Sequence, residues 1–392
     1  MSYKPLIIIG NAEVYAPQYL GVKDIILSGG KILAIVDKFE TGSLQNLEIQ
    51  YIEAKGRKII PGLIDAHVHI AGAGGEGGPS TRTPEMQLSQ MLLGGITTVI
   101  GCLGTDGITR SPDSVLMKVK SLRAEGVSAW MYTGSYQVPT PTVTGSIGRD
   151  MALIEEIIGV GEIALSDHRS SCPTTHELIR IAEEARVGGM LGGKAGIVNI
   201  HMGDAKNPFK PIMDVVAQSE LKFKQFYPTH CNRNHYIFED AKTYGKEGYI
   251  DVTTSSYPYF SEFEIKSSKA IREFLNAGVP AEHITMTSDG NGSLPHFNDK
   301  GELVQLEMGQ PKSIFDELVD MMVQEKFPLE TALQFVTSNV AQILRLKSKG
   351  RIQPGLDADL VILNADYSIN DVIAMGVPMV LNTKALFKGT YE

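Results

Sequence analysis

The chain has 392 residues, 43% of them apolar and 21% charged, with a formal net charge of −9. That length exceeds what one plain barrel needs, and the acidic balance argues against nucleic acid or an anionic membrane as the main partner. The N-terminal apolar run is too short for a signal peptide, no window reaches a membrane span, and three scattered cysteines without a CxxC suit a reduced cytoplasm. Each of them, Cys102, Cys172 and Cys231, reads as a buried small side chain rather than a nucleophile.

Residues 1 to about 58 are β-rich. Short β-branched runs at Leu6–Ile9, Asp24–Leu27, Lys31–Val36 and Glu48–Glu53 are separated by turns such as Ser28-Gly29-Gly30-Lys31. From Ile59 the pattern becomes an alternation of strands and helices, the signature of parallel βαβ units. Strand-like runs fall at Leu63–His69, Thr97–Gly104, Ser128–Tyr136, Val160–Asp167, Gly196–Gly203, Phe226–Cys231, Tyr249–Ser255 and His283–Asp289. Thr83 and Pro84 look like a helix cap and first position. Ser111 and Pro112 open a helix that Gly126 closes, Thr174 or Thr175 opens one stopping at Gly188-Gly189, and Ser313–Glu325 and Leu329–Leu344 are helical. Eight strands alternating with helices is the count of a (β/α)8 TIM-like barrel. A β-rich tail, with Ala358–Leu363, Met379–Leu381 and Ala385–Phe387, is expected to join the N-terminal strands. The expected division is a small β-sandwich domain from 1–58 and 346–392 around a barrel of 59–345.

Barrel active sites are built where strands end, so the residues at those ends are the candidates. The first strand ends in His67-Val68-His69, two imidazoles on one face of a strand, and runs into the glycine-rich loop Ala71–Ser80, whose one charge is Glu76. The fifth strand ends at His201, the sixth at His230 and the eighth at Asp289. The fourth carries Glu162 inside an apolar run, where an exposed glutamate would be out of place in a sheet covered on both faces. Neutral imidazoles with carboxylates suit Zn²⁺, and a central carboxylate can bridge two ions. His168 follows a strand closely and has at most a supporting role; His176, His235, His283 and His296 do not share the placement.

Two zinc ions sharing a hydroxide would supply a nucleophile and a Lewis acid, and Asp289 would pass the proton to a leaving amine. This is hydrolysis of an amide or ester. Arg169 and Arg233, just past the fourth and sixth strands, suit a grip on carboxylate, and Glu76 suits an ammonium group. Thr105, Tyr136 and Ser293 lie where they would donate hydrogen bonds, with Tyr136 placed to polarise the scissile carbonyl. Such a site wants a small, acidic, dipeptide-like zwitterion.

PGLIDAHVH on the first strand, single histidines on the fifth and sixth and aspartate on the eighth resemble the amidohydrolase superfamily. GGEGGPSTRTPE, Gly104–Asp106, TGSYQVPTPTVTGS, ALSDHRS, HMGD, PTHCNRN and TSDGNGS together resemble the isoaspartyl dipeptidases within it. The resemblance implies hydrolysis of β-aspartyl dipeptides by two zinc ions held by His67, His69, His201, His230 and Asp289, and a tendency to homo-oligomers. It assigns Arg169 and Arg233 to the terminal carboxylate, Glu76 to the free amine and Tyr136 to the carbonyl, with Thr105 and Ser293 as further contacts. Where the family pattern has a carboxylated lysine bridging the metals, this chain has Glu162. Either Glu162 bridges directly, the favoured outcome, or one metal site is weakened. The alternatives are another amidohydrolase, such as a cyclic amidase or N-acyl amino acid deacylase, and a non-catalytic barrel homologue.

Overall fold

The computed structural model describes residues 6–40, 48–298, 300 and 302–392. The N-terminal strands are β1 (Leu6–Tyr15), β2 (Tyr19–Ser28), β3 (Lys31–Val36), β4 (Ile49–Glu53) and β5 (Lys58–Pro61). The eight strands of the barrel follow: β6 (Leu63–Val68), β7 (Ile96–Gly101), β8 (Ser128–Thr133), β9 (Ile157–Leu165), β10 (Ile197–Met202), β11 (Phe226–Thr229), β12 (Ile250–Thr253) and β13 (Ile284–Thr287). A hairpin, β14 (Ser293–Phe297) with β15 (Leu303–Met308), comes next. The chain ends in β16 (Leu360–Leu363), β17 (Ile369–Ala374), β18 (Val377–Leu381) and β19 (Lys384–Ala385).

Strands β6 to β11 form one six-stranded parallel sheet in sequence order, and β12 pairs in parallel with β13. The two seams are bridged near the strand ends. Cys231 N donates to Asp251 O at 3.0 Å, and His69 N donates to Gly290 O at 2.9 Å. The result is a TIM-like barrel. Side chains of one strand face, including Ile64, Ala66, Ile100, Tyr132 and Tyr227, pack on Val340, Ala341 and Leu344. Val336 O takes the hydrogen bond of Ile64 N, so this plug closes the end where the strands begin and leaves the other end for polar groups.

Both chain ends enter a second sheet of nine strands, where β16 pairs antiparallel with β5, and β5 runs parallel to β1. The stretch from Ile59, where the strand–helix alternation was expected to begin, is therefore divided. Lys58–Pro61 belongs to this sheet and the barrel strand starts at Leu63. The crossing point is Gly62, where a Cβ would lie 2.2 Å from Thr97 Oγ1, so only glycine lets the chain pass.

Other differences have equally local causes. Thr83 caps no helix: its hydroxyl accepts from Ala73 N at 2.6 Å and donates to Asn291 O at 2.7 Å, tying down the glycine loop. The next helix is Leu88–Leu93, capped by Gln87. The helix expected to stop at Gly188-Gly189 runs Thr175–Gly192. Those two glycines are contact points instead, since a Cβ on Gly188 would meet Gly148 Cα at 2.7 Å and one on Gly189 would meet Gly196 Cα at 2.5 Å. Leu329–Leu344 is two helices, Leu329–Gln334 and Ser338–Ile343, parted at Thr337. Neither β17 nor the β14–β15 hairpin was foreseen. No helix among the described residues is long and apolar enough to cross a membrane.

Candidate active site

The ligand-type residues arrive at one place because the parallel strands all deliver their C-terminal ends to the same side. His67 lies in β6 and His69 just past it, Glu162 in β9, His201 in β10, His230 one residue past β11 and Asp289 two past β13. His230 and Asp289 have φ of +63° and +54°, a left-handed turn that swings each side chain back over the barrel mouth. Gly161, at φ +147°, precedes Glu162; a Cβ there would sit 2.6 Å from Asn199 O of the neighbouring strand.

Glu162 is the centre of the cluster. One of its oxygens lies 2.6 Å from His201 Nδ1 and 3.3 Å from His230 Nε2, the other 3.2 Å from His67 Nε2 and 3.8 Å from His69 Nε2. Asp289 Oδ1 lies 3.1 Å from His69 Nε2 and 3.8 Å from His67 Nε2. Burial by itself would raise the Glu162 carboxyl, yet the His67 and His201 imidazoles hold it well below the usual carboxylate range. Burial pushes His230 down to about 4, so its imidazole is neutral at physiological pH, the form that binds metals. Glu162 Oε2 and Asp289 Oδ1 are buried and make no hydrogen bond. A buried carboxylate oxygen left so is costly unless a cation satisfies it. The nitrogen, oxygen and sulfur donors fall into two groups that share Glu162: His67, His69, Cys102 and Glu162, and Glu162, His201 and His230. These donors fit metal ions.

Above the cluster opens a cavity of about 700 Å³, lined by His69, Tyr136, Arg169, Arg233, Asp289 and Ser293 among others. The Tyr136 hydroxyl lies 2.7 Å from His201 Nδ1. Burial, with the Glu162 carboxylate near it, holds that hydroxyl well above its ordinary value, so it remains a donor. Arg169 makes a two-pronged pair with Asp167, at 3.0 Å and 2.9 Å, and reaches Glu76 at 3.4 Å. Thr105 donates to Glu76 at 3.1 Å. Arg233 Nη1 lies 3.0 Å from His201 Nε2 and its Nε 3.5 Å from Asp204. The Ser293 hydroxyl is buried without a hydrogen bond. All the residues expected from the sequence thus converge here.

Two residues were missed. Asp167 is buried against His201 and Arg169, which hold its carboxyl well below the usual range against the opposing effect of burial. It stands inside the ALSDHRS run, of which only His168 and Arg169 had been weighed. Cys102, read as an ordinary buried side chain, has its sulfur 3.7 Å from His67 Nε2; its place just past the end of β7 was the available signal. Cys172, also expected to be buried, is exposed in the loop after Arg169, where φ of +51° turns it outward. His168 is largely exposed, stacked edge-on against Phe297 at the cavity rim.

Comparison with known proteins agrees with this arrangement. The amidohydrolase family model matches residues 229–383. The β-aspartyl dipeptidase of the thermophilic keratin degrader Fervidobacterium islandicum AW-1, solved in complex with β-Asp-Leu, is 41% identical, with a TM-score of 0.93 and 99% of each chain covered. The L-hydantoinase of Arthrobacter aurescens shares the fold at 14% identity and a TM-score of 0.66, covering 98% of each chain. An allantoinase of Salmonella choleraesuis is 24% identical over 92% of this chain and 86% of its own. Matched along nearly its whole length at 41% identity, the chain belongs to the β-aspartyl dipeptidase family of the amidohydrolases.

Proposed function

We propose that the protein hydrolyses the isopeptide bond of β-aspartyl dipeptides, releasing aspartate and an amino acid. One observation carries the reading: Glu76, Arg169 and Arg233 line the same cavity as the donors His69, His201, His230 and Asp289. A metal centre alone would serve any amidohydrolase, whereas an acid and two guanidiniums around it match a small zwitterion with an extra carboxylate. The relative solved with β-Asp-Leu supports the same substrate class.

His67, His69, Glu162, His201, His230 and Asp289 would hold two divalent ions, with Glu162 shared between them; the donor set suits zinc. Bound ions supply activation of water at neutral pH and polarisation of a carbonyl. The remaining work falls to the chain. Asp289 takes the proton of the attacking water and delivers it to the departing amine. The Tyr136 hydroxyl donates to the carbonyl oxygen as charge develops there. Arg169 and Arg233 bind carboxylate, Glu76 the ammonium, and Thr105 and Ser293 donate further hydrogen bonds. Asp167 fixes Arg169 in advance, so less order is lost on binding. Three free thiols accord with a cytoplasmic setting, and a homo-oligomer follows the family tendency. The two chain ends, up to Pro61 and from 346 onward, are read as a small sandwich domain beside the barrel. Its support is a core shared by both chain ends, where Ile9, Val14 and Ile25 pack with Leu360 and Ile362.

The test is to incubate the purified enzyme with β-Asp-Leu and with α-Asp-Leu, follow free leucine, and determine zinc per chain. Cleavage of the β isomer alone with about two zincs, as the shared carboxylate requires, is expected. Zinc without cleavage of either dipeptide would redirect the search to other amidohydrolases, and absence of both would indicate a non-catalytic barrel.

A further inference from the structure

The metal donors differ in one respect from a set of histidines and carboxylates. Cys102 follows β7 directly and has no exposed surface. Its sulfur lies 3.7 Å from His67 Nε2, 3.9 Å from His69 Nδ1 and 3.6 Å from Val68 O. The donor atoms of His67, His69, Cys102 and Glu162 all lie within 4.8 Å of one another. A second observation points to the same spot. Glu162 Oε2, fully buried and without a hydrogen bond, lies 3.2 Å from His67 Nε2. Cys231 shows what an ordinary buried cysteine looks like in this fold: its sulfur rests 3.4 Å from Pro228 O, outside both donor groups.

We propose that Cys102 is a ligand of the ion held by His67 and His69, so that the two subsites of the centre are chemically unequal. This rests on reading the cluster as a metal centre, and is independent of the substrate. With Asp289 Oδ1 3.1 Å from His69 Nε2, the first subsite then has two nitrogens, a sulfur and two carboxylate oxygens from the protein, enough to fill a zinc coordination shell without water. The second, with Glu162, His201 and His230, has three donors and keeps a position open, the arrangement of a catalytic site. Coordination replaces the S–H bond of Cys102 by a sulfur–metal bond and releases the proton to solvent. A thiolate also biases the first subsite toward softer ions. The first ion is therefore the tight, structural one, and the second is the exchangeable one beside the substrate cavity.

Cobalt(II) reports this directly. Titrating the metal-free protein with cobalt should produce a near-ultraviolet thiolate-to-cobalt charge-transfer band that saturates with the first equivalent, together with the visible bands of bound cobalt. Cys102→Ser and Cys102→Ala should lose the charge-transfer band, keep visible bands, and bind the first equivalent at least about 10²-fold more weakly, the upper end of what even an outer-shell change costs. Cys172→Ser should keep the band. Visible bands without charge transfer in the wild type, or a band that survives in both Cys102 variants, would overturn the proposal while leaving the metal centre standing. Failure to bind cobalt at all would overturn both.

Discussion

Asp251 and Glu162 are carboxylates without exposed surface on strands of one barrel, and they are held in opposite ways. Asp251 accepts hydrogen bonds from the hydroxyls of Thr229, Thr285 and Thr287 at 2.6–2.7 Å. Burial still lifts its carboxyl above the ordinary value, but its oxygens are satisfied from within and it needs no partner from outside. Glu162 sits among imidazoles, with one oxygen that makes no hydrogen bond. A buried polar group that is fully paired stabilises a fold, while one left open costs free energy until a ligand arrives. The comparison separates a carboxylate that builds the barrel from one that builds the site, although both are invisible from the surface.

Removing Glu162 should have the largest effect. Glu162→Ala is expected to lower kcat by roughly 10³-fold, the several kcal/mol that metal activation supplies, and to reduce metal per chain while the thermal midpoint of the metal-free protein hardly falls. Added bicarbonate should leave the metal content of the wild type unchanged, because the bridge is a side-chain carboxylate. A metal content that rises with bicarbonate would contradict the direct bridge. Asp251→Ala should do the reverse. It strands the Thr229 and Thr287 hydroxyls, Thr285 keeping Tyr227 as a partner, and should cost about 2–4 kcal/mol of stability, at roughly 1–3 kcal/mol for each group left unpaired and some rescue by water. Denaturant unfolding measures the loss, and metal per folded chain should stay the same. If metal binding collapsed instead, the two carboxylates would not be separable.

Arg233→Met tests the rim of the site. A charge-assisted hydrogen bond contributes about 1.5–3 kcal/mol, so kcat/KM for β-Asp-Leu should fall roughly 10- to 100-fold, mostly through KM, with the metals in place. An unchanged KM would remove Arg233 from the substrate contacts. The smallest effect concerns Glu264, in the cavity wall, whose carboxyl burial raises to about 7 although Ser256 bonds to it. A raised carboxyl means the folded state holds its proton more tightly than the unfolded one. Stability from this group is full below the unfolded value of about 4.5 and is lost as pH rises towards 7. Glu264→Gln should therefore gain on the wild type across that window. Because the residue is only partly shielded from solvent, the gain should be about 1–2 kcal/mol. Parallel curves for the two proteins would show that Glu264 is ionised throughout.

The strand ends carried most of what could be foreseen. His67, His69, His201, His230 and Asp289 were recognisable because a parallel barrel sends every strand's C-terminal end to one face, so the order of residues along the chain already states which side chains meet. Glu162 was recognisable as a charge in an apolar run. Asp167 and Cys102 stand in equivalent places and were passed over, the first because its arginine partner drew the attention and the second because a buried cysteine is ordinary.

What the sequence determined by itself was therefore the alternation of strands and helices, the polar groups at the strand ends and the family they resemble, all properties of local spacing. Only the tertiary structure decided the rest. It split Ile59–His69 at Gly62, since the crossing depends on Thr97 in another strand. It added the β14–β15 hairpin beside the mouth, turned Thr83 from a helix cap into a loop tie, and brought a sulfur within reach of two histidines. Each of these depends on which groups approach across long sequence distances, and periodicity along one chain carries no record of such approaches.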